Sequence, residues 1–345
     1  MKVGFQTGAN LKKGDCGEGL FIKTFQHLID ESLTNHLNGS KEALHFNSKD
    51  IYLKNNEPYA KAVSIVARNG NGHNKKNGLL NYPDILVKDF KKIKISDLDL
   101  LFVRGDDIKD SKAVSKLSKY TPLLPSTLNT INSWQSTINT KDKYDLVKRC
   151  EGIQMPRTIL AHSKEDIHAF LPYIDKEKNH NYFVVKARYG SGGKQVHRIN
   201  KHDPNLDALV ESYFSKYDNE LIVQEYNPLT EKGDLRVMMF DGDVICAVKR
   251  IPPRGKWKTN ISLGGGHEPY ELSKEEIEFC KEIGERYNDV RFLGLDVLSE
   301  RNNTKPKEIC LIEVNCNPGM TQKVKKLYNI DIPKLIFDKV GYENN

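Results

Sequence analysis

Residues 184–199 read VVKARYGSGGKQVHRI: one lysine interrupts an apolar run, and three glycines, a serine and a second lysine follow. Two familiar glycine-rich folds are excluded here by counting. A Walker A loop needs a glycine, four residues, then Gly-Lys-Ser/Thr. With Lys194 as its lysine, Arg188 stands where the first glycine belongs and Gln195 where the hydroxyl belongs. A dinucleotide fingerprint needs G-x-G-x-x-G opening a helix, and after Gly190 and Gly192 the third position is Gln195. What remains is an apolar strand with an inward Lys186, a glycine loop from Gly190 to Gly193, and a second apolar strand at Val196–Ile199. Backbone NH groups unshielded by side chains can close such a hairpin over phosphate oxygens. An ordinary hairpin with a mobile tip explains the loop alone equally well.

At 345 residues the chain exceeds what one core usually serves, so two or more domains are expected. Charged residues at 29% and hydrophobic ones at 38% describe a globular chain. No run approaches the length of a membrane span, and MKVGFQTGAN lacks a signal-peptide apolar stretch, so a cytoplasmic protein is expected. Cys16, Cys150, Cys246, Cys280, Cys310 and Cys316 form no C-x-x-C pair and read as reduced thiols. The net charge of +7 suits an anionic small ligand such as a nucleotide. No basic cluster interleaved with aromatics points to nucleic acid.

MKVGFQT reads as a first strand, and residues 17–37 carry apolar residues at helical spacing. LDLLFVRG at 98–105 is a buried strand, and RNGNGHNKKNG at 68–78 an exposed loop. The Pro-, Ser-, Thr- and Asn-rich segment 120–140 reads as the passage into a second region. There KDKYDLVKRC begins a helix, IQMPRTIL a strand and EDIHAFLPYI a helix; ELIVQEY is a strand. Residues 234–251 form a hairpin turning at Asp241, Gly242 and Asp243, and SKEEIEFCKEIGERY is a helix capped by Ser273. Two strands, RFLGLDVL and EICLIEVNCNPG, and a helix near DIPKLIFDKV close the chain.

Those two strands present acids. Glu313 and Asn315 lie two apart and share a face, and Asp296 can join them from the neighbouring strand. Two carboxylates and an amide oxygen make a hard-oxygen site, fit for Mg²⁺ that also holds nucleotide phosphates. Singly, each acid could end a strand or pair with a lysine; buried together in apolar runs they need partners or metal.

Taken in order, Lys143 in TKDKYDLVKR, Lys186 in FVVKARYGSGGKQV, VQEYNP, GDLRVMMFDGDVICAVKRIPPRGKWKTNISLGGG, GLDVL and IEVNCNPG resemble the ATP-grasp ligases, in the branch of glutathione synthetase and ribosomal-protein glutamate ligase. The resemblance covers roughly residues 122–335. KRIPPRGKWKTNISLGGG is most similar to prokaryotic glutathione synthetase, whereas NCNPGM with its following helix is more similar to the glutamate ligases. It implies a mixed α/β (α+β) chain: a small N-terminal α/β domain on the substrate side at 1–122, then an ATP-grasp domain at 123–345. The latter divides into 123–225, with the glycine-loop lid, and a catalytic part at 226–345.

On this resemblance the glycine loop is a lid over the ATP γ-phosphate, with Gly190, Ser191, Gly192 and Gly193 as its donors and Lys143 and Lys186 holding the phosphates. Gln224, Glu225 and Tyr226 frame adenine, largely through backbone atoms. Asp296, Glu313 and Asn315 hold one or two Mg²⁺ ions, for which Mn²⁺ can substitute. Arg236 and Arg250 face the transferred phosphate and the acceptor, since their planar forks meet phosphate or carboxylate in bidentate fashion. Asn260 with Gly264, Gly265 and Gly266 resembles a second mobile loop that shields an acyl phosphate from water. Arg104 and Asn317 are candidate substrate contacts.

The implied reaction is amide-bond formation: ATP phosphorylates a small-molecule carboxylate and an amine displaces phosphate. Glutathione-like synthesis leads. FVRGDDIKD lacks the family's Asp-Pro-Pro, and Arg104 could instead pair with Asp106 or Asp107. GANLKKGDCGEG, also divergent from the family, is a candidate for recognising a substrate amine or carboxylate. A ligase acting on a protein or peptide terminus, a small-molecule kinase and a non-catalytic nucleotide-binding regulator remain alternatives. Homodimers or homotetramers are the family expectation.

Overall fold

A computed structural model of the chain describes residues 2–7, 42–46, 51–67, 85–104, 111–174, 181–190, 193, 195–259, 265–302, 305–318, 332–337 and 339–340. The helix expected at 17–37, the loop at 68–78, GANLKKGDCGEG, Asp106, Asp107, Ser191, Gly192, Asn260 and Gly264 lie outside these described residues. The chain divides into two compact units, Met1–Ile138 with Asn317–Asn345, and Asn139–Cys316.

The first unit is built on one sheet of β1 (Lys2–Thr7), β2 (Glu42–Phe46), β3 (Ile51–Lys54), β4 (Glu57–Ala67), β5 (Ile85–Lys94), β6 (Leu100–Arg104) and β7 (Asn129–Ile131). Its order is β3-β4-β2-β1-β6-β7, with β5 also on β4. LDLLFVRG became β6, flanked in parallel by β1 and β7. A strand covered on both faces is apolar without alternation, and Leu100, Leu101, Phe102 and Val103 are all buried. Helix α1 spans Ser111–Tyr120. The polar segment read as a passage carries β7 and α2 (Trp134–Lys141), and Leu128, Trp134 and Ile138 enter the core.

The second unit opens with α3, Asp145–Arg149, shorter than the helix expected there. A four-stranded antiparallel sheet follows: β8 (Thr158–Ala161), β9 (Tyr182–Ala187), β10 (Val196–Asn200) and β11 (Leu221–Glu225), in order β10-β9-β11-β8. Helices α4 (Lys164–Phe170) and α5 (Leu206–Lys216) supply Ile167, Val210 and Phe214 to its core. The expected strand-loop-strand is thus β9 and β10, with Lys186 opposite Val196.

A second antiparallel sheet contains β12 (Asp234–Phe240), β13 (Asp243–Ile251), β14 (Gly266–Tyr270), β15 (Phe292–Asn302) and β16 (Lys305–Asn315), in order β14-β13-β12-β15-β16. The β12–β13 hairpin turns where expected: Asp241 and Gly242 have φ of 50° and 83°, the left-handed pair that a two-residue turn requires. Helix α6 (Lys274–Arg286) starts with Ser273 in a capping box with Glu276. One face of the sheet buries Val237, Met239, Leu293, Leu295, Val297 and Leu311 against Cys280 and Ile283 of α6 and the adjoining Tyr287. Each such aliphatic side chain contributes about 1.5–3 kcal/mol. That packing fixes the sheet whose other residues carry the charges.

Cys150, Cys246 and Cys280 are free thiols, and these three are buried, as are Cys310 and Cys316. Burial pushes the thiols of Cys150 and Cys246 up to about 11, and that of Cys280 to about 12. Among the described residues no helix is long and apolar enough to cross a membrane.

Candidate active site

Register alone gathers the charged residues of the second sheet. Asp296 on β15 lies opposite Glu313 on β16 and opposite Arg236 on β12, while Asp234 on β12 lies opposite Arg250 on β13. Directly opposed residues share a face, so five charged side chains from four strands converge. Arg236 donates through Nε to Asp296 Oδ1 at 2.5 Å and through Nη2 to Oδ2 at 3.1 Å. Arg250 forks onto Asp234, with Nε to Oδ1 at 2.7 Å and Nη2 to Oδ2 at 2.5 Å. Its Nη2 also lies 2.8 Å from Asp296 Oδ2. Thr259 completes the group by donating its hydroxyl to Asp234 Oδ2 at 3.0 Å.

Burial raises the cost of these charges, and their pairing offsets it. Burial pushes the Asp296 carboxyl up, but Arg236 and Arg250 outweigh that and hold it below the usual carboxylate range. For Asp234 burial wins over Arg250, and its carboxyl is raised.

Among the described residues Glu313 makes no hydrogen bond or ion pair, and Asn315 Nδ2 is buried without a hydrogen-bond partner. Among the described residues no group of three His, Cys, Asp or Glu is arranged to hold a metal ion. The oxygens on hand are those of Asp296, Glu313 and Asn315. This donor set suits a hard divalent cation sharing its remaining positions with a ligand. A carboxylate accepts about four hydrogen bonds, so three from the two arginines leave Asp296 capacity for an ion.

The lysines come from the first sheet and the turn before it. Lys186 projects from near the end of β9, is 7% exposed, and donates to Gln224 Oε1 at 2.7 Å. Gln224 in turn donates to Thr158 Oγ1 at 2.9 Å. Lys143, between α2 and α3, donates through its backbone to Arg188 O at 3.1 Å and through Nζ to Gly190 O at 2.9 Å. Lys143 is half-buried. Burial lowers its pKa to about 8, against the pull of Glu313, and Lys186 lowers it further. Burial likewise depresses Lys186, with Glu313 and Asp296 opposing. Two desolvated cations thus face one unpartnered carboxylate, an arrangement that calls for a further anion.

These groups line a cleft of about 690 Å³ that includes Val184, Lys186, Gln224, Tyr226, Asp296 and Glu313. Glu313 and Lys186 also border an adjoining cavity of about 380 Å³ that holds Lys143. Glu225 and Tyr226 line the larger cleft at the exit of β11. Gly190 has φ of 142°, a backbone conformation that favours glycine, and a Cβ there would displace the Gln195 side-chain oxygen, 2.0 Å away. Gly193 also borders the cleft.

The structure therefore brings together Lys143, Lys186, Gly190, Gly193, Gln224, Glu225, Tyr226, Arg236, Arg250, Asp296 and Glu313, with Asn315 adjoining on β16. Arg236 and Arg250, expected to stand toward a ligand, are held by acids. Gly266 opens β14 opposite Ile251, with Gly265 preceding it. Arg104 ends β6, and Asn317 opens the C-terminal segment of the first unit. Sequence reasoning missed Asp234, Arg198, Trp257, Lys258 and Thr259. Asp234 carried one signal, since it begins the strand that holds Arg236 two positions on.

A family model for the prokaryotic glutathione synthetase ATP-grasp domain matches residues 149–328. The glutathione synthetase of Prochlorococcus marinus subsp. pastoris is 32% identical over 269 residues, covering 72% of this chain and 80% of its own length. That of Agrobacterium fabrum is 26% identical over 253 residues, covering 72% and 74%. Among solved structures, a RimK domain protein ATP-grasp from Sphaerobacter thermophilus aligns with a TM-score of 0.60 at 14% identity and covers 98% of both chains, a likeness of fold.

Proposed function

Since the chain belongs to the prokaryotic glutathione synthetase family of ATP-grasp enzymes and is an ATP-dependent, ADP-forming ligase that makes amide bonds, we propose that it joins a short thiol-containing peptide to an amino acid, as glutathione synthesis does, in the cytoplasm. The observation that carries the site assignment is the pair of desolvated lysines, Lys143 and Lys186, facing Glu313 in one cleft. Such cations match a triphosphate.

In this reading Lys143 and Lys186 hold the phosphates, and the loop from Gly190 to Gly193 covers them. The Gln224 side chain is committed to Lys186 and Thr158, so adenine is left to backbone groups near Glu225 and Tyr226. Asp296, Glu313 and Asn315 would hold Mg²⁺, which supplies charge neutralisation between phosphate oxygens. Arg236 and Arg250, fixed in direction by Asp296 and Asp234, are pre-oriented donors toward charge that develops during transfer. A substrate carboxylate oxygen takes the γ-phosphoryl group, with release of ADP. The amine nitrogen then bonds to the carbonyl carbon, phosphate departs with that oxygen, and the nitrogen loses a proton. Positioning and charge stabilisation carry most of this chemistry. Asn260, Gly265 and Gly266 belong to the shielding loop, and Arg104 and Asn317 to substrate binding. Residues 1–122 choose the substrate, and the assembled form is a homodimer or homotetramer.

The test is mass spectrometry of purified protein with Mg-ATP, pooled amino acids and short thiol peptides. A product at the sum of two substrates minus water, with equal amounts of ADP and phosphate, is expected. A mass gain of one phosphoryl group without free phosphate would replace this reading with a small-molecule kinase.

A further inference from the structure

Three consecutive residues of the segment after β13 each bind a different element of the second unit. Trp257 packs against Arg198 of β10, whose guanidinium centre lies 5.8 Å from the indole, 4.8 Å from the Tyr182 ring and 5.0 Å from the Tyr226 ring. Trp257 also meets Tyr226 edge to face, with ring centroids 5.8 Å apart. Arg198 is held by Glu231 Oε1 at 2.7 Å and Tyr226 Oη at 2.8 Å. Lys258 donates Nζ to the carbonyl of Gly193, in the glycine loop, at 3.0 Å. Thr259, 6% exposed, donates to Asp234 of β12. All three residues border the larger cleft.

We propose that Trp257-Lys258-Thr259 is a clasp that couples the loop after β13 to the glycine-rich lid, so that nucleotide held under the lid also orders the acceptor-side loop. The inference rests on the nucleotide site described above. Its logic is geometric. Thr259 roots the segment in the sheet that positions Arg250, Trp257 ties it to β10 through an aromatic-cation contact, and Lys258 holds the carbonyl of Gly193. Displacing Gly193 therefore breaks a bond to the loop, and lifting the loop unseats the lid. That reciprocity is what coupling between two segments requires. These three are positioning residues: they act through the elements they hold.

Backbone hydrogen exchange tests this in the full-length protein, with and without a non-hydrolysable ATP analogue, on peptides covering 188–196 and 252–259. In the unaltered protein both segments should slow on the order of tenfold with nucleotide. In the double variant Trp257→Ala/Lys258→Met only the lid peptide should slow, while Trp257→Phe/Lys258→Arg should restore joint protection. Joint protection persisting in the Ala/Met variant, or protection of the lid alone in the unaltered protein, would overturn the clasp and leave the nucleotide site standing. Protection of neither segment in the unaltered protein would overturn both. Circular dichroism and the exchange of α6 report whether the variants fold.

Discussion

Nucleotide binding should weaken steeply above pH 8, because Lys143 enters the empty site nearly ready to lose its proton. Burial brings its pKa from 10.5 to about 8. Below that value the amine is already charged and binding exchanges no proton. Above it the free site holds a neutral amine, which must take up a proton to meet the phosphates. Returning the group to 10.5 would stabilise the charged form by about 3 kcal/mol, at about 1.4 kcal/mol per tenfold. The dissociation constant should then rise about tenfold per pH step above 8, or roughly 30-fold from pH 7 to pH 9.5. Lys186, depressed by the same cause, can only steepen this slope. Above pH 8 the nucleotide's phosphates are ionised and add little slope of their own. Isothermal titration calorimetry at pH 9 with a non-hydrolysable analogue, in two buffers of different ionisation enthalpy, should count about one proton taken up per nucleotide. Lys143→Met should bind more weakly, with the slope reduced to the share of Lys186. A flat affinity from pH 7 to 9.5 with no proton uptake would refute the reading of Lys143 as a desolvated cation awaiting phosphate.

Glu313→Gln removes the unpartnered carboxylate and should lower ATP turnover by about a hundredfold or more while circular dichroism stays unchanged; normal turnover would remove Glu313 from the metal site. At Gly233, φ is 107° and a Cβ would lie 2.3 Å from the carbonyl oxygen of Arg250. Gly233→Ala should therefore destabilise by about 1–3 kcal/mol, read as a loss in a urea melt, and a neutral result would show that the backbone shifts freely there. Glu276 is 1% exposed; burial pushes its carboxyl up, but Arg301, Ser299, the Ser273 amide and Tyr270 prevail and hold it below 4.5. A depressed carboxylate stabilises the fold fully above its unfolded value and loses that contribution as pH falls through its folded value. Glu276→Gln should thus lower stability at pH 7 and flatten its decline below pH 4.5, as followed by thermal melts across pH.

Where a residue's meaning lay within its own strand, the sequence was readable. Glu313 and Asn315 announced themselves by period-two spacing, and Asp241-Gly242 by the turn they require. Lys186 stood out because nothing else in its run was polar. The arginines show the limit. Arg236 and Asp296 are sixty residues apart, and Arg250 and Asp234 sixteen, so no local pattern distinguishes an arginine aimed at a ligand from one forked onto an acid across a strand. The same holds for Trp257, Lys258 and Thr259, whose partners lie on three separate elements. The buried side of the segment 120–140 went unread for a different reason. Its polar composition outweighed Leu128, Ile131, Trp134 and Ile138, whose spacing of three to four residues marks a buried side; tertiary packing prevailed over composition.

The interred cysteines bear on the chemistry of the medium in which the proposed thiol substrates would be handled. Disulfide exchange proceeds through a thiolate that can reach its target, and Cys150, Cys246 and Cys280 have neither the charge nor the access. Near neutral pH fewer than about one in a thousand of these sulfurs carries the reactive charge. The catalytic unit can therefore work in a swing between oxidising and reducing conditions without these sulfurs recording it, its own redox silence leaving substrate thiols with no partner among them.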